Sequence, residues 1–540
     1  GDADTLFDKA KKIPFPILIK AAAGGGGKGM RIVRRETELK NALEATSREA
    51  QSYFGNGDIF IEKYLENPRH IEFQILGDNF GNVVHLFERE CSIQRRHQKI
   101  IEEAPSPTVD PDLRKRMGEA AVRIGKKTKY NSAGTIEFLV DEAKNFYFLE
   151  MNTRIQVEHP ITELTTDVDL VKEQILVAAG NKLRLKQKDL KQTGHAIECR
   201  IYAEDPANNF LPSPGKMSLY VEPQDVETRI DTGINKYTEI KSFYDPMISK
   251  LIVHAENREK AIQKMENALS AYKIHGIATN ISYLKKIMNY EEYKTNRIST
   301  HFCDDHTEDI IKSIENEKAG IPVIQSIISF FLYSFRNTCD RNGENSNIWD
   351  YIGYWRNGTS IIFELVDGIS ETSKEYEIYV NTQNEKDSFE FLLEDKKYNV
   401  SFKSFDYETN MLEFYLNSEN LISAHISEKS SGRGFVEIQN AIFEIVRHDI
   451  LDDSLSLKEI EESSVAGSGN SVKSPMPGVV IKIIAEVGQE VKKGDVLIVV
   501  EAMKMENSLI APRDGVIETI NVKTGDQVNG STSLIFLKEE

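Results

Sequence analysis

Two carboxylates are predicted to face each other across neighbouring strands. Thr135–Val140 and Phe146–Leu149 have strand-forming composition and are separated by a short polar segment, so they form a predicted hairpin. The hairpin would bring Glu137 close to Glu150. Paired carboxylates on adjacent strands are suitable ligands for Mg²⁺ bound to nucleotide phosphates. The sequence therefore predicts a metal site on this hairpin.

The segment Tyr147–His159 alternates polar and apolar residues. If it stays extended, its polar side chains project to one face, because alternate residues of a strand share a face. These polar residues are Glu150, Asn152, Arg154, Gln156 and Glu158. A solvated edge strand is the alternative interpretation, but two carboxylates and an arginine in register favour a polar active site.

A glycine-rich segment, Ala21–Met30, follows the predicted strand Ile17–Lys20. It is not a P-loop, because Lys28 is followed by Gly29 rather than by Ser or Thr. Consecutive glycines let backbone N–H groups close on phosphate oxygens, and Lys20 and Lys28 supply positive charge. A flexible loop without a ligand is the alternative, so the glycines alone are weak evidence for a nucleotide site.

The C-terminal part of the chain contains an internal repeat. Four residues recur 37 positions later, as Gly478, Gly488, Val491 and Leu497 reappear as Gly515, Gly525, Val528 and Leu534. Two copies of one unit predict a β structure with pseudo-two-fold symmetry. The segment Glu501–Asn507 joins the copies and places Lys504 near a predicted hairpin turn.

The residues around Lys504 resemble the biotinyl domain of biotin-dependent carboxylases, in which Ala-Met-Lys-Met carries biotin on the lysine. The lipoyl domain has the same repeat and is the nearest alternative, but it typically has Asp and Ala beside its lysine. The resemblance implies covalent biotin on Lys504 and a biotin protein ligase as a partner. The acidic and then Ser/Gly-rich segment Leu451–Asn470 is typical of a tether.

Composition excludes several other classes of protein. The chain has 85 acidic and 67 basic side chains, a net charge of −18, which argues against binding to nucleic acid or to an anionic membrane. The most apolar helical segment, Val323–Phe335, is too short to cross a bilayer. Four scattered cysteines without a CxxC pair favour neither a disulfide framework nor a zinc site.

Long motifs between Pro14 and His306 resemble the ATP-grasp biotin carboxylases. They are Glu62-Lys-Tyr-Leu65, Asn67-Pro-Arg-His70, Gln94-Arg-Arg-His-Gln-Lys99, Glu102-Glu-Ala-Pro105, Asn152-Thr-Arg-Ile-Gln-Val-Glu-His159 and Glu198-Cys-Arg200. Motifs of this length are specific, so the resemblance assigns roles to individual residues.

The resemblance implies four groups of site residues. Those implied to bind ATP are Lys20, Gly25, Gly26, Gly27, Gly29, Met30, Glu62, Lys63, Leu65, His70 and His97. Those implied to bind Mg²⁺ or Mn²⁺ are Glu137, Glu150 and Asn152. Those implied to bind bicarbonate are Lys99, Arg154, Gln156 and Val157. Those implied to be catalytic are Glu158 as the general base and Arg200 as the group that stabilises the biotin enolate, with Arg154 and Lys99.

The resemblances imply a multidomain fold of class α/β plus β. The expected parts are an ATP-grasp domain at 1–185 with a lid at about 15–65, a biotin carboxylase C-terminal domain at 186–312, a helix-plus-β-barrel docking domain at 313–455, a flexible linker at 456–473 and a flattened β-barrel biotinyl domain at 474–540. One helix, Ile310–Asn337, is expected to open the docking domain. The chain starts at Gly1, and the N-terminal subdomain of the family is expected to be missing.

The resemblances imply a ligase that carboxylates biotin on Lys504 with ATP and bicarbonate. A separate carboxyltransferase beta subunit, docked on 313–455, would pass the carboxyl group to an acyl-CoA. Three segments favour 3-methylcrotonyl-CoA slightly over propionyl-CoA or acetyl-CoA: Phe87–Ser92, His97–Ile101 and Trp355–Asn357. A non-catalytic biotin carrier or scaffold, or part of a pyruvate carboxylase, are the alternatives. The expected compartment is the cytoplasm in a bacterium and the mitochondrial matrix in a eukaryote.

Overall fold

The computed structural model describes most of the chain. The described residues are 3–10, 13–23, 30–224, 227–340, 360–366, 373–382, 388–430, 432–448, 471–474, 478–502, 505–529 and 532–538. Four of the predicted features therefore lie outside them: the glycines 24–29, the tether 451–470, the segment Trp355–Asn357 and Lys504.

Residues 3–63 form a small α/β unit with its own core. Its elements are α1 (Ala3–Ala10), β1 (Ile17–Ala21), β2 (Met30–Val33), α2 (Leu39–Phe54) and β3 (Ile59–Lys63). The strands form an antiparallel sheet in the order β2-β1-β3. Leu39 and Leu43 lie one helical turn apart on α2 and are buried in the core that β1 shares. This unit includes nearly all of the segment predicted to be the lid, about residues 15–65.

Residues 69–294 contain the largest sheet and the helices that cover it. The strands are β4 (Arg69–Gly77), β5 (Val83–Arg95), β6 (Gln98–Ala104), β7 (Ser132–Val140), β8 (Phe146–Asn152), β9 (His195–Tyr202), β10 (Glu204–Asp205), β11 (Leu211–Pro212), β12 (Gly215–Lys216), β13 (Leu219–Val221), β14 (Thr228–Thr232), β15 (Glu239–Ile240), β16 (Met247–Ala255) and β17 (Lys273–His275). The helices are α3 (Pro111–Lys127), α4 (His159–Thr166), α5 (Leu170–Ala178), α6 (Arg258–Ala271), α7 (Ile281–Asn289) and α8 (Glu291–Lys294).

Eight of these strands form one antiparallel sheet in the order β14-β16-β9-β6-β5-β4-β7-β8. The predicted hairpin is present as β7 and β8, with Glu137 opposite Glu150. Helix α3 packs on one face of the sheet, where Ile71 and Phe73 enter its core. Helix α4 packs on β5, β6, β9 and β16, and the alternate residue Glu72 points to that side. On β4, one face is therefore apolar and the other is polar; on the neighbouring β5 the α3 face also holds a buried ion pair, Glu88 with Arg114.

The predicted single helix Ile310–Asn337 is two helices, α9 (Phe302–Gly320) and α10 (Val323–Asp340). The break follows from Gly320, the last residue of α9, and from Pro322, which cannot continue the helix. Because α9 begins at Phe302, the expected domain boundary at 312/313 falls inside a helix. In the described part of the chain, no single helix is long and apolar enough to span a membrane. The α9–α10 pair passes that test only together, across a bend of 68°.

Eight strands after α10 close into an antiparallel barrel. They are β18 (Ser360–Val366), β19 (Ser373–Thr382), β20 (Ser388–Leu393), β21 (Lys396–Asp406), β22 (Met411–Leu416), β23 (Asn420–Ser430), β24 (Arg433–Ile438) and β25 (Ala441–Arg447). Each strand pairs with the next, and β25 pairs with β18. Helix α10 packs Phe330 and Phe331 into the barrel core. The expected helix-plus-barrel arrangement is confirmed, with two helices in place of one.

The C-terminal β domain is built from two sheets of four strands. Its strands are β26 (Ser471–Lys473), β27 (Gly478–Ile483), β28 (Glu490–Val491), β29 (Val496–Ala502), β30 (Met505–Ile510), β31 (Gly515–Ile520), β32 (Gln527–Val528) and β33 (Ser533–Leu537). The strand orders, β26-β33-β31-β28 and β30-β29-β27-β32, are equivalent when one repeat is laid on the other. The predicted pseudo-two-fold structure is confirmed. Residues 471–473 were expected in the linker, but they form β26 because Val472 is buried opposite Ile535.

Gly434 on β24 is predicted to allow α10 to pack closely on the barrel, because a larger residue there would collide with its neighbours. A Cβ there would lie 2.3 Å from the carbonyl oxygen of Ser427 and 2.8 Å from Phe330. We expect Gly434→Ala to lower the free energy of unfolding by about 1–3 kcal/mol. Gly320→Ala is the control, since its Cβ would meet nothing within 4 Å. Equal stability of the two variants in chemical denaturation would contradict this packing.

Candidate functional site

The polar face of the large sheet carries a carboxylate cluster, which consists of Glu72 on β4, Glu137 on β7 and Glu158 before α4. Lys99 on β6 lies among them, with its ammonium 2.6 Å from Glu72, 3.0 Å from Glu137 and 2.8 Å from Glu158. All three carboxylates are at most 4% exposed. One cation therefore links three buried anions that come from three different elements.

The charges in the cluster stabilise one another. Burial alone would lower the pKa of Lys99, but the surrounding carboxylates, with Glu72 the strongest, raise it well above its usual range. Burial would raise the pKa of Glu137, but the hydrogen bond with His70 and the charge of Lys99 hold it well below its usual range. The Lys99 ammonium and the Glu137 carboxylate therefore both stay ionised around neutral pH.

Arg89 on β5 holds together residues that reach the site from several elements. It is fully buried, and Nε donates to Glu72 at 2.5 Å. Nη1 donates to Gln74 and Thr162, and Nη2 donates to Gln156 at 2.8 Å and to Thr135. All five donors of the guanidinium are thus used. Burial opposes the ionisation of Glu72, but the charges of Arg89 and Lys99 lower the pKa of Glu72 to about 2.

Glu137 and Glu150 provide the oxygen ligands that a divalent cation would need. They lie opposite each other on β7 and β8, and the Asn152 amide contacts both, at 2.9 Å and 3.4 Å. Glu150 is exposed, whereas Glu137 is buried. In these contacts the amide nitrogen of Asn152 donates to the carboxylates. Two carboxylates and the amide oxygen of Asn152 would fit Mg²⁺ or Mn²⁺, which take further ligands from water and phosphate.

A second group, His70, Glu72 and Glu137, has ligand atoms close enough together to hold a metal. The Lys99 ammonium already lies 2.6 Å and 3.0 Å from the two carboxylates of this group. A cation placed there would repel that ammonium at short distance. Lys99 also contacts Glu137 in the pair on β7 and β8, but the other carboxylate of that pair, Glu150, is exposed on the edge strand β8. The pair is therefore more accessible to a cation that arrives with a nucleotide.

The predicted extended strand through Glu158 is wrong. Strand β8 is at the edge of the sheet and ends at Asn152, where its pairing with β7 stops, and α4 begins at His159 with a proline in its first turn. Gln156 still reaches Glu137, at 2.8 Å. Arg154 does not join the cluster, because it is exposed and its described hydrogen bond goes to the carbonyl of Ile155.

Arg200 on β9 connects Glu158 to the sheet. Its Nη2 lies 3.0 Å from Glu158, and its Nε donates to Glu102 on β6 at 2.6 Å. The backbone beside Glu158 is also held in place, because the Lys250 ammonium donates to the carbonyl of Val157 at 2.7 Å. Lys99, Glu158 and Arg200 thus form a continuous chain of alternating charges.

The predicted nucleotide residues are only partly brought together. Lys20 forms an ion pair with Glu62 at 2.5 Å, and Lys63 donates to Tyr147 at 2.9 Å, which links β3 to β8. His70 lies in the cluster, 3.0 Å from Glu137. The remaining predicted ATP ligands have no hydrogen bond to the cluster within the described residues: Met30 stands opposite Lys20, Leu65 follows β3, and His97 is exposed in the β5–β6 turn.

The predicted glycine ligands Gly25, Gly26, Gly27 and Gly29 lie outside the described residues, as does Lys504. The strands on either side of Lys504 are described. Ala502 of β29 pairs with Met505 of β30, so the two strands form the hairpin that the repeat predicts.

Several residues of the site were not predicted. Arg89, Glu72, Glu102 and Lys250 hold the catalytic candidates, but none was assigned a role from the sequence. Glu72 carries a signal, because it is a charged residue between two apolar ones, Ile71 and Phe73. A charge in such a position needs a buried partner. Arg89, between Glu88 and Glu90, carries no such signal.

Three family models match the chain. "Carbamoyl-phosphate synthase L chain, ATP binding domain" matches residues 1–186, "Biotin carboxylase C-terminal domain" matches 198–305, and "Biotin-requiring enzyme" matches 470–537. The first two cover the lid and the large sheet, and the third covers the two-sheet C-terminal domain.

Curated relatives match nearly the whole chain. The alpha subunit of mitochondrial methylcrotonoyl-CoA carboxylase from Rattus norvegicus is 38% identical over 99% of this chain and 74% of that protein. The alpha chain of mitochondrial propionyl-CoA carboxylase from Mus musculus is 39% identical over 99% and 73%. A pyruvate carboxylase subunit from Methanothermobacter thermautotrophicus is 55% identical, but over only 57% of this chain and 63% of that protein.

A solved structure agrees with the fold of the first part of the chain. The biotin carboxylase domain of 2-oxoglutarate carboxylase from Hydrogenobacter thermophilus, in complex with MgADP and bicarbonate, is 48% identical with a TM-score of 0.54. The match covers 57% of this chain and 68% of that one.

Removing the buried guanidinium is predicted to destabilise the site region. Arg89→Met leaves Glu72 buried without its main cation, so we expect a loss of about 3–5 kcal/mol in the free energy of unfolding. Arg35→Met breaks an exposed ion pair with Glu38 and should cost less than about 1 kcal/mol. Chemical denaturation of both variants measures the difference, and losses of similar size would refute the proposed balance of buried charges.

Proposed function

Because the chain belongs to the alpha-subunit family of the biotin-dependent carboxylases, we propose that the chain of charges Lys99–Glu158–Arg200 is its centre for activating bicarbonate. The members of this family are ligases with an ATP-grasp fold that carboxylate biotin, and this chain is one of them. ATP, a divalent cation and covalent biotin are the cofactors of the reaction. The observation that carries the proposal is the position of Glu158, 2.8 Å from Lys99 and 3.0 Å from Arg200.

Glu158 is proposed as the general base that takes the proton from bicarbonate. A base acts efficiently only when a positioned group lies within hydrogen-bond reach of the proton. Lys99 and Arg200 on either side would hold an anion next to that carboxylate. Gln156 and Val157 add an amide and a backbone group beside it, and Arg154, exposed at the edge, would reach bicarbonate from outside the cluster.

The nucleotide is proposed to lie between the lid and the sheet. Lys20, Met30, Glu62, Lys63 and Leu65 come from residues 3–65, and the glycines Gly25, Gly26, Gly27 and Gly29 belong to the same segment; His70 and His97 come from the large sheet. Glu137, Glu150 and Asn152 would hold Mg²⁺ or Mn²⁺, which neutralises phosphate charge when it is bound.

Lys504 is proposed as the biotinylated residue. Biotin supplies a nitrogen that receives the carboxyl group. Arg200 is the proposed cation beside the biotin oxygen, since its guanidinium is buried and fixed by Glu102 and Glu158. The hairpin β29–β30 belongs to a domain with a core of its own, which suits a carrier.

The final acceptor is proposed to be an acyl-CoA, with 3-methylcrotonyl-CoA first and propionyl-CoA or acetyl-CoA next. This proposal is supported by how much of the chain each relative matches. The two acyl-CoA carboxylase relatives match 99% of the chain, including the barrel, whereas the pyruvate carboxylase relative matches 57%. The barrel, within the expected docking region 313–455, is the proposed contact for a carboxyltransferase beta subunit.

Loss of the Glu158 carboxylate is predicted to abolish turnover. With the full chain and free biotin, Glu158→Gln should slow bicarbonate-dependent ATP cleavage by roughly two to four orders of magnitude. Glu142→Gln, in the exposed turn between β7 and β8, is the control and should cleave ATP normally. No cleavage by the unmodified protein at saturating substrate would overturn the proposed function. A fully active Glu158→Gln variant would overturn only the role of Glu158.

The biotin on Lys504 allows the acceptor to be identified. Capture of the protein through its biotin should recover a carboxyltransferase subunit, and the captured complex should carboxylate 3-methylcrotonyl-CoA faster than propionyl-CoA or acetyl-CoA. Lys504→Arg should remove both the biotin-sized mass and the capture, whereas the exposed Lys493→Arg should keep them. Carboxylation of pyruvate without any acyl-CoA activity would reject the proposed acceptor.

A further inference from the structure

Two carboxyl groups are buried side by side behind Arg200. Glu102 on β6 and Glu198 on β9 stand directly opposite each other in the antiparallel pairing. Both are 0% exposed. Directly opposite side chains have Cβ atoms only about 4.5–5.5 Å apart, so the two carboxyl groups are neighbours.

The hydrogen bonds of this pair are incomplete. Glu102 Oε1 accepts from Arg200, but Oε2 has no partner among the described residues. Neither oxygen of Glu198 has a partner among them. Three buried carboxyl oxygens without a donor are costly, since a buried polar group that makes no hydrogen bond loses its hydration without compensation.

The charges around the pair are not sufficient to stabilise two ionised carboxylates side by side. The charged and titratable groups that surround it, from β5, β6, β9, β14, β16 and the start of α4, are Cys91, Lys99, Cys199, Arg200, Tyr202, Asp231, Lys250 and Glu158. Lys250 is already engaged by Val157 and by Asp231 at 3.1 Å, and Arg200 is shared with Glu158. No cation in this set contacts Glu198 directly.

We propose that Glu102 and Glu198 share one proton, carried by Glu198 and donated to the free oxygen of Glu102, and that this pair positions Arg200. The proton gives Glu198 a donor and leaves Glu102 with the single negative charge that holds the guanidinium. Arg200 then sits between two carboxylates, Glu102 behind it and Glu158 on the side of the reaction. The inference rests on the proposed function, because it assigns the pair to the site that activates bicarbonate.

The protonation of the pair agrees with its surroundings. Burial raises the pKa of Glu198 well above its usual range, and the charge of Glu102 raises it further. Burial raises the pKa of Glu102 to about 7, although Arg200 opposes this. Since the folded-state pKa values are raised, the shared proton is present at low pH and is lost as the pH rises through them. A second negative charge would then draw Arg200 back towards the strands.

The pair is tested by the pH profile of biotin carboxylation in the full chain. Glu102→Gln removes the charge that holds Arg200 and should lower kcat by roughly tenfold or more at neutral pH, with a smaller effect on KM for ATP. Glu198→Gln imitates the protonated acid, so it should lower kcat less and should remove the alkaline decline that the pair causes. An unchanged pH profile in Glu198→Gln, or an equal loss of kcat in both variants, would overturn the proposal.

Glu204→Gln is the matched control. Glu204 is also buried beside an arginine, Arg95, at 2.7 Å, and burial raises its pKa to about 7, but it lies outside the cluster. Its substitution should leave the pH profile unchanged. A changed profile in this variant would assign the alkaline decline to general charge burial and overturn the proposal.

An infrared measurement does not depend on activity. The unmodified protein should show the carbonyl band of a protonated carboxyl group at neutral pH, and Glu198→Gln should lose part of it. Absence of the band in the unmodified protein would overturn the proposal even if a variant failed to fold. If Glu198→Gln loses part of the band but the unmodified protein cleaves no ATP, the proposed function fails and the proton assignment stands.

Discussion

The arrangement of the site depends on a balance of charges inside a folded sheet. Lys99 contacts Glu72, Glu137 and Glu158 at 2.6–3.0 Å, and Arg89 contributes the second cation that Glu72 requires. Moving a charge out of water is unfavourable unless opposite charges and hydrogen bonds replace the hydration. The buried carboxylates are therefore stable only as long as both cations stay in place.

This balance requires the two faces of the large sheet to differ. On β4, Ile71 and Phe73 pack under α3, while Glu72 and Gln74 point to the side of α4 and meet Arg89. Because successive residues of a strand point to opposite faces, neighbouring residues of β4 face a hydrophobic core on one side and the polar site on the other. The same rule places Glu102 and Arg200 on the polar face of their strands, so the site crosses five neighbouring strands.

Local patterns allowed part of this structure to be predicted, and long-range contacts account for the rest. The β7–β8 hairpin and the C-terminal repeat were predictable because each depends on residues close together in sequence or on a fixed period. The extended strand through Glu158 was wrong because the chain leaves β7 after Asn152, although β7 itself extends to Ser132. Alternation alone does not reveal where an edge strand leaves its neighbour. The role of Arg89 was missed because its partners come from four other elements, and only the three-dimensional arrangement brings them together.

The closure of the barrel limits how another protein can recognise it. Among the described residues, every strand of the closed barrel has a paired neighbour on both sides. A partner therefore cannot extend the barrel sheet with a strand of its own. It must instead contact outward-facing side chains, such as Tyr379, Tyr415 and Leu421. If the barrel is the docking module proposed above, partner choice there depends on residues that can change without disturbing the fold, so specificity can diverge while the scaffold stays the same.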